Sequence, residues 1–251
     1  MKYSLVVDLG NTAIKYAVFA GENLICQCKI VIDHFDFVKT KSKLKEMLEE
    51  NKINPSDFID SIIFSVVPAL NRNVIRFVYS ILKIKPVVFH VSSIKELPAG
   101  VPQDIGADLL SDIIGGHKLY GAPLLIVDLG TVSKFLLIGP KGELEGCAFM
   151  PGLDSSLKAM TKATALLPKL RTEKPENVFG LNTIECMQSG TYYSTLGAIR
   201  FYDKIAREKY PNIKVVVCGG YSTNVEYDVT DLILDPFLSV KGMNIIRLSN
   251  K

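Results

Sequence analysis

The chain has no tryptophan, three histidines and five cysteines among 251 residues. Each scarcity removes a class of function. Cys26, Cys28, Cys147, Cys186 and Cys218 are odd in number, and their spacings fit neither a zinc site nor a disulfide framework. Cys26 and Cys28 stand two apart on an expected strand, so they share a face without forming an ordinary bridge. Free thiols in a reducing compartment are the simple account. His34, His90 and His117 are scattered and build no recognisable site. An excess of one charge is also missing. The net charge is +3, and the one cluster, Lys39 to Lys45, falls at the start of a polar helix and reads as a solvated face. Nucleic-acid binding therefore has little support. No apolar run approaches the length needed to span a bilayer. The first residues enter a strand at once, without the charged and apolar segments of a leader. These absences point to a soluble, cytoplasmic protein without a membrane partner.

What is present is a core-forming composition, 48% hydrophobic and 22% charged, and a motif written twice. Leu5-Val6-Val7-Asp8-Leu9-Gly10-Asn11-Thr12 and Leu125-Ile126-Val127-Asp128-Leu129-Gly130-Thr131-Val132 share one pattern. An apolar run ends in Asp, a Gly turn with a hydroxyl follows, and a second apolar run returns. This is a hairpin with a polar tip, repeated about half a chain later. An Asp at a strand end can hold a hydrated cation. Gly10 and Gly130 let backbone approach a phosphate, and the turn N–H groups with Thr12 or Thr131 can donate to it. Two such tips facing each other would grip a nucleotide's phosphates and its metal. Taken singly, each is also an ordinary hairpin turn.

Around the tips the pattern alternates. Strands are expected at 3–8, 13–20, 24–32, 60–66 and 87–91, and helices at 37–51, from Pro68 onward, and at 105–120. The stretch 92–103 holds Pro98, Gly100 and Pro102 and reads as a loop. The second half restarts with strands at 124–128, 132–138 and 144–149, a helix at 152–160, a long helix at 182–209, a strand at 215–218 and a last helix at 236–244. The long helix shows Ile184, Met187, Ala198, Phe201 and Ile205 as its apolar stripe. The expectation is an α/β protein of two similar domains, residues 1–117 and 118–251.

Several residues carry possible chemistry. Asp8 is the best metal-linked carboxylate, since phosphoryl transfer needs a divalent ion to neutralise charge; a strand-end Asp capping its own turn is the plain alternative. Lys15 interrupts an apolar run and would find a reason in a phosphate oxygen, or in a solvent-facing strand position. Gly106-Ala107-Asp108 opens a helix. Asp108 suits a general base acting on a substrate hydroxyl and equally suits the positive end of the helix dipole. Gly219-Gly220, after a buried strand, allows a flat ligand such as adenine to approach or makes a simple turn. Pro151-Gly152 and Thr183 can lie near a ligand, and Thr183 can also cap its helix.

In their order these motifs resemble the type III pantothenate kinases of the actin-like sugar-kinase superfamily. Asp8-Leu9-Gly10-Asn11-Thr12 and Asp128-Leu129-Gly130-Thr131 are similar to the family's two phosphate motifs. Ser65-Val66-Val67-Pro68 matches its strand-to-helix element, and Gly106-Ala107-Asp108 the start of its G-x-D-R motif. Gly146 with Met150-Pro151-Gly152, then Leu166-Leu167-Pro168, Gln188-Ser189-Gly190, Cys218-Gly219-Gly220 and Leu238 to Met243 follow in family order. The resemblance implies two duplicated actin-like (ribonuclease H-like) domains with a cleft between them. It implies a homodimer that uses ATP to phosphorylate pantothenate, the first step of coenzyme A synthesis. It implies Mg2+ near Asp8, and ATP phosphates near Gly10, Asn11, Thr12, Lys15, Gly130 and Thr131. A monovalent cation, K+ or NH4+, is implied near Asp128. Asp108 would be the base, beside Gly106 and Ala107, and Thr183 would approach the partner subunit's pantothenate.

The departures cluster on the acceptor side. The family's Arg after the catalytic Asp is Leu109 here, and its loop Tyr falls at Ala99. The second phosphate motif continues Val132-Ser133-Lys134 rather than Ala-x-Thr. Leu109 has no donor for a carboxylate, and Lys134 is a candidate replacement charge. An enzyme with another acceptor, or a nucleotide-binding regulatory homologue with little catalysis, stays open beside the pantothenate kinase reading.

Overall fold

The computed structural model describes residues 1–32, 37–227, 229 and 231–249, and His34 lies outside them. In chain order the elements are β1 (Tyr3–Leu9), β2 (Ala13–Ala20), β3 (Asn23–Val31), α1 (Phe37–Glu50), β4 (Phe58–Ser65), α2 (Pro68–Leu82), β5 (Val87–Val88), α3 (Ala107–Tyr120), β6 (Leu124–Leu129), β7 (Val132–Ile138), β8 (Leu144–Pro151), α4 (Leu153–Ala163), α5 (Thr183–Lys209), β9 (Lys214–Cys218), β10 (Leu232–Leu234) and α6 (Leu238–Ser249). No helix among the described residues is long and apolar enough to cross a membrane.

The strands form two five-stranded sheets, ordered β3-β2-β1-β4-β5 and β10-β9-β6-β7-β8. Read from the opposite edge, the second order is β8-β7-β6-β9-β10, so each sheet is an antiparallel three-strand meander followed by two parallel strands. The duplicated hairpin of the sequence is thus the first half of a duplicated topology, in an α/β fold. The chain divides into two compact units: Met1–Leu97, Val101–Gly115 and Ser239–Lys251 in the first, Pro98–Gly100 and Gly116–Leu238 in the second.

In the first unit, β1 is central and buried on both faces, which is why its sequence is nearly continuous apolar residues rather than an alternation. Leu5, Val7 and Leu9 pack with Tyr16, Leu44, Val74, Phe77 and Val78. Pro68 sits in the first turn of α2, where its missing N–H costs nothing. The Ser65 hydroxyl accepts from the Val67 amide at 3.1 Å just before it. The C-terminal α6 belongs to this unit. Gly242 lies against the backbone of Ser111 in α3 so closely that a Cβ would overlap the Ser111 carbonyl. Arg247 donates from one guanidinium nitrogen to both Asp60 oxygens, at 3.0 and 3.2 Å, tying α6 to β4.

In the second unit, Leu125, Val127 and Leu129 of β6 pack with Phe135, Tyr192, Leu196, Ile199, Val215 and Val217. The α5 face differs from the expected stripe. Met187 is buried, but Ile184, Phe201 and Ile205 are exposed at 47, 58 and 46%. The inward face is built on Tyr192, Leu196, Ile199 and Ala206, spaced i, i+4, i+7 and i+14, with Thr191 and Thr195 among them. These two threonines look polar in the sequence, yet Thr195 Oγ1 donates to the Thr191 carbonyl one turn earlier at 3.0 Å, so its hydroxyl is satisfied inside the helix. At the start of α4, Asp154 Oδ1 accepts from the Thr172 hydroxyl at 2.6 Å and the Thr172 amide at 3.2 Å.

Two edges also depart from expectation. The expected strand at 87–91 stops after Val88, because the chain turns at Val91–Ser93 with the Ser93 amide donating to the His90 carbonyl. β10 was not expected; three residues are too few to show a period.

The contact of α6 on α3 predicts that Gly242→Ala destabilises the protein by roughly 1–3 kcal/mol, seen as a lower urea midpoint with an unchanged m-value. Asp154 gives a pH-dependent counterpart. Burial raises its pKa, but hydrogen bonds from Thr172 and Tyr221 outweigh it and hold the pKa below the ordinary value. A depressed carboxylate stabilises above its unfolded pKa and loses that contribution as pH falls through the folded one. Asp154→Asn is therefore expected to lower the melting temperature at pH 7, with the gap to wild type closing as pH falls below about 4.

Candidate functional site

In the first unit, the end of β1 brings Asp8 to the hairpin tip. Asp8 pairs with Lys15 in the β1–β2 register, and Lys15 Nζ donates to Asp8 Oδ2 at 2.9 Å, with side chains 27 and 14% exposed. Alternation explains why a lysine stands in an apolar run: Ile14 and Tyr16 on either side are buried. The Gly10 amide donates to the Ala13 carbonyl at 3.1 Å and closes the turn. Asn11 is exposed and Thr12 half-buried at the tip. Asp8 with Gly10, Asn11, Thr12 and Lys15 thus forms one continuous polar tip. A part-exposed carboxylate with one oxygen engaged by Lys15 fits a hydrated divalent cation on its other oxygen.

The second unit repeats this with one difference. Asp128 lies at the end of β6 between Lys134 of β7 and Cys218 of β9 in the strand registers. Lys134 Nζ donates to Asp128 Oδ2 at 2.8 Å, and here the side chains are only 13 and 8% exposed. Gly219 has φ +90°, and a Cβ on it would overlap Asp128 Oδ1 and lie 2.7 Å from the Leu129 amide nitrogen. The glycine is required by its contact with Asp128 and the β6 backbone. Gly220 is the exposed member of the pair. The tip itself is braced by α4: the Gly152 amide donates to the Thr131 carbonyl at 3.0 Å, and Ser155 Oγ to the same oxygen at 2.7 Å. Gly152 approaches so closely that a Cβ would overlap the Gly130 carbonyl. Asp128, Gly130, Thr131 and Gly219 are thus gathered in one place.

α3 begins at Ala107, which puts Asp108 in its first turn. A Cβ on Gly106 would lie 2.7 Å from Asp108 Oδ1, so the glycine leaves room for the carboxylate. Leu109 is half-buried and offers no hydrogen-bond donor. One turn on, Asp112 is fully buried and accepts from Ser239 Oγ at 2.6 Å. Sequence reasoning passed over Asp112. Its i+4 spacing from Asp108 was the available signal, since two acids on one face of an apolar helix ask for a reason.

Thr183 is the first residue of α5 and is exposed. It does not cap the helix. Asn182 does, its Oδ1 accepting from the Glu185 amide at 3.0 Å. Lys134, the candidate replacement for the absent Arg, is held by Asp128 in its own hairpin.

With these features in place, comparison with known proteins is informative. The family model for type III pantothenate kinases matches residues 4–204. A type III pantothenate kinase from Agathobacter rectalis is 30% identical over 254 residues, covering 96% of this chain and 95% of its own. One from Finegoldia magna is 31% identical over 259 residues, covering 98 and 97%. Among solved structures, a conserved Baf family transcriptional activator from Campylobacter jejuni superposes with a TM-score of 0.61 at 15% identity, covering 98% of each chain. The activator of 2-hydroxyisocaproyl-CoA dehydratase from Clostridium difficile, with ADPNP bound, gives 0.52 at 13% identity, covering 98 and 94%. These two likenesses speak to the actin-like fold alone. The length of the family match and the near-complete coverage of its relatives place the chain in the type III pantothenate kinase family, a family of kinases.

Proposed function

We propose that the protein transfers the γ-phosphoryl group of ATP to the primary hydroxyl of pantothenate, giving 4'-phosphopantothenate and ADP in the opening step of coenzyme A synthesis. The observation that carries this is the repeated tip, a strand-end Asp followed by a Gly turn with hydroxyls, found once in each unit; the first unit also holds a helix with Asp108 in its first turn. Gly10 lets backbone approach the phosphates, and the backbone N–H groups at Asn11 and Thr12, and at Gly130 and Thr131, donate to phosphate oxygens. Lys15 adds a positive charge at the first tip. Gly220 offers open backbone to the adenine. Mg2+ held through Asp8 supplies neutralisation of the phosphates. Asp108 accepts the proton of the acceptor hydroxyl as that oxygen bonds to γ-phosphorus. The bond from γ-phosphorus to the β–γ bridging oxygen breaks, and ADP leaves with the electron pair.

A homodimer belongs to this reading. Leu166, Phe179 and Leu181 are 93, 87 and 93% exposed, and Phe201, Ile184 and Ile205 stand outward on α5. Apolar side chains in such number invite cover by a second copy. Thr183 stands two residues beyond Leu181 in this region, which suits a role next to the partner's substrate.

One observation favours a second acceptor reading. Leu109 cannot pair with a carboxylate, and Lys134 is occupied by Asp128. An acceptor without pantothenate's carboxylate would suit this helix start better, with the same nucleotide chemistry.

Asp108→Asn is expected to lower ADP release by roughly 10²–10⁴-fold while leaving the ATP-induced rise in melting temperature intact; an unchanged rate removes Asp108 as the base. With wild type, release that depends on pantothenate supports the first reading, and release only with an acceptor lacking a carboxylate supports the second. Sedimentation should give a dimer for wild type and a monomer for the double variant Phe179→Ser, Leu181→Ser; a wild-type monomer at micromolar concentration refutes the dimer.

A further inference from the structure

The second phosphate tip, Leu129-Gly130-Thr131, sits inside a closed circuit of hydrogen bonds. On one side the Tyr221 amide donates to the Leu129 carbonyl at 3.0 Å. On the other, the Gly152 amide and Ser155 Oγ donate to the Thr131 carbonyl at 3.0 and 2.7 Å. Gly152 and Ser155 belong to the start of α4, and Tyr221 follows the glycine pair after β9. Asp154, in the first turn of α4, joins these two supports, because its carboxylate takes a hydrogen bond from the Tyr221 hydroxyl. The same carboxylate accepts from the Thr172 hydroxyl and amide at 2.6 and 3.2 Å, and Lys158 lies near enough to add attraction. The circuit runs from Leu129 to Tyr221, through Asp154 into α4, and back to Thr131. Gly130 is the point it encloses.

The fold does not require this closure. The first tip has the matching backbone bond, from the Val66 amide to the Leu9 carbonyl at 3.1 Å, but a valine side chain has no donor to reach across with. The link from Tyr221 to Asp154 is an addition at the tip that lies next to Gly219-Gly220. Tyr221 packs against the core of the second unit, so its hydroxyl is delivered to Asp154 from a fixed base. Ser222 behind it is fully buried, and its amide and hydroxyl both donate to the Gly219 carbonyl, at 3.2 and 2.8 Å. Asp154 thus holds two backbone segments at a constant separation, Gly130-Thr131 and Gly219-Gly220.

We propose that Asp154 is a positioning residue for the nucleotide: through Tyr221 it fixes the N–H groups of Gly130 and Thr131 relative to the open backbone of Gly220, so that the phosphates and the base of ATP meet a site already set. The proposal rests on the reading of this tip as a phosphate site. Asp154 acts through backbone rather than by contact with the ligand. Hydrogen bonds to an ionised acceptor are the stronger kind, which makes a carboxylate a stiffer joint than a neutral group. A site set in advance binds more tightly because less ordering is left to the binding step.

The test uses the full chain and the non-hydrolysable analogue AMPPNP with Mg2+, titrated by calorimetry well below each variant's melting temperature. Tyr221→Phe removes the hydroxyl and keeps the ring, and Asp154→Ala removes the whole joint. Tyr221→Phe is expected to weaken AMPPNP binding about three-fold or more, and Asp154→Ala about ten-fold. The double variant should lose no more than Asp154→Ala alone, because without the carboxylate the hydroxyl has nothing to bond. In ADP release, KM for ATP should rise by the same factors while kcat stays within about two-fold of wild type. A folded Asp154→Ala that binds AMPPNP as wild type does assigns the joint to stability alone and overturns the proposal. Losses that add in the double variant overturn it as well. Should Asp154→Ala fail to fold, Tyr221→Phe against wild type decides alone. Wild type that binds no AMPPNP removes the phosphate-site reading and the proposal with it, whereas wild-type binding with unchanged variants removes the proposal only.

Discussion

A carboxylate at the end of a central strand poses one electrostatic problem. Such a strand is buried on both faces, and a bare negative charge at its end is expensive unless a counter-charge sits within hydrogen-bond reach. This fold solves the problem twice, with a lysine on the next strand directly across from the acid. Breaking the buried pair at Asp128 from one side would cost on the order of 3–5 kcal/mol, a large share of a domain's net stability. The tips therefore belong to the sheets as much as to any ligand. Because each lysine is fixed in register, its charge is positioned before any phosphate arrives, and little ordering is left for the binding step.

Close backbone contacts hold the second tip in place. Gly219 fits over Asp128 and Leu129, and Gly152 fits against the Gly130 carbonyl, each at a distance no side chain would permit. The turn is thus gripped by β9 and by the start of α4 rather than left as a mobile loop. At the first tip the corresponding support comes from β3 and β4: the Ile32 amide donates to the Thr12 carbonyl and the Val66 amide to the Leu9 carbonyl. The second tip has the same two bonds, from the Gly152 amide to the Thr131 carbonyl and from the Tyr221 amide to the Leu129 carbonyl, so the tips share a sequence pattern, a topology and a brace, to which the second adds its glycine contacts.

Much of this was legible in the sequence. The doubled Asp–Gly tip, the strand–strand–strand opening of each half, Pro68 at the start of α2 and the helix start at Ala107 follow from short-range rules. What was not legible needed long-range information. The phase of α5 was misjudged because Thr191 and Thr195 are polar by composition but buried, the Thr195 hydroxyl donating to the Thr191 carbonyl, while Phe201 and Ile205 are apolar and outside. Lys134 looked like a charge in search of a ligand until the register set it opposite Asp128. Gly219 looked like room for adenine until its contact with a carboxylate appeared. Asp112 had only its i+4 spacing from Asp108 to show for itself, because its partner, Ser239, lies at the far end of the chain.

That last separation has a temporal side. The first unit takes its final helix from residues translated after the entire second unit. On the ribosome the N-terminal sheet therefore emerges with the place of α6 unfilled, and Asp60 without Arg247. It can complete its packing only once α6 has been made. The second unit, continuous from Gly116 to Leu238, is under no such delay. Synthesis order and folding order are thus opposed in this protein: the half made first is the half that matures last.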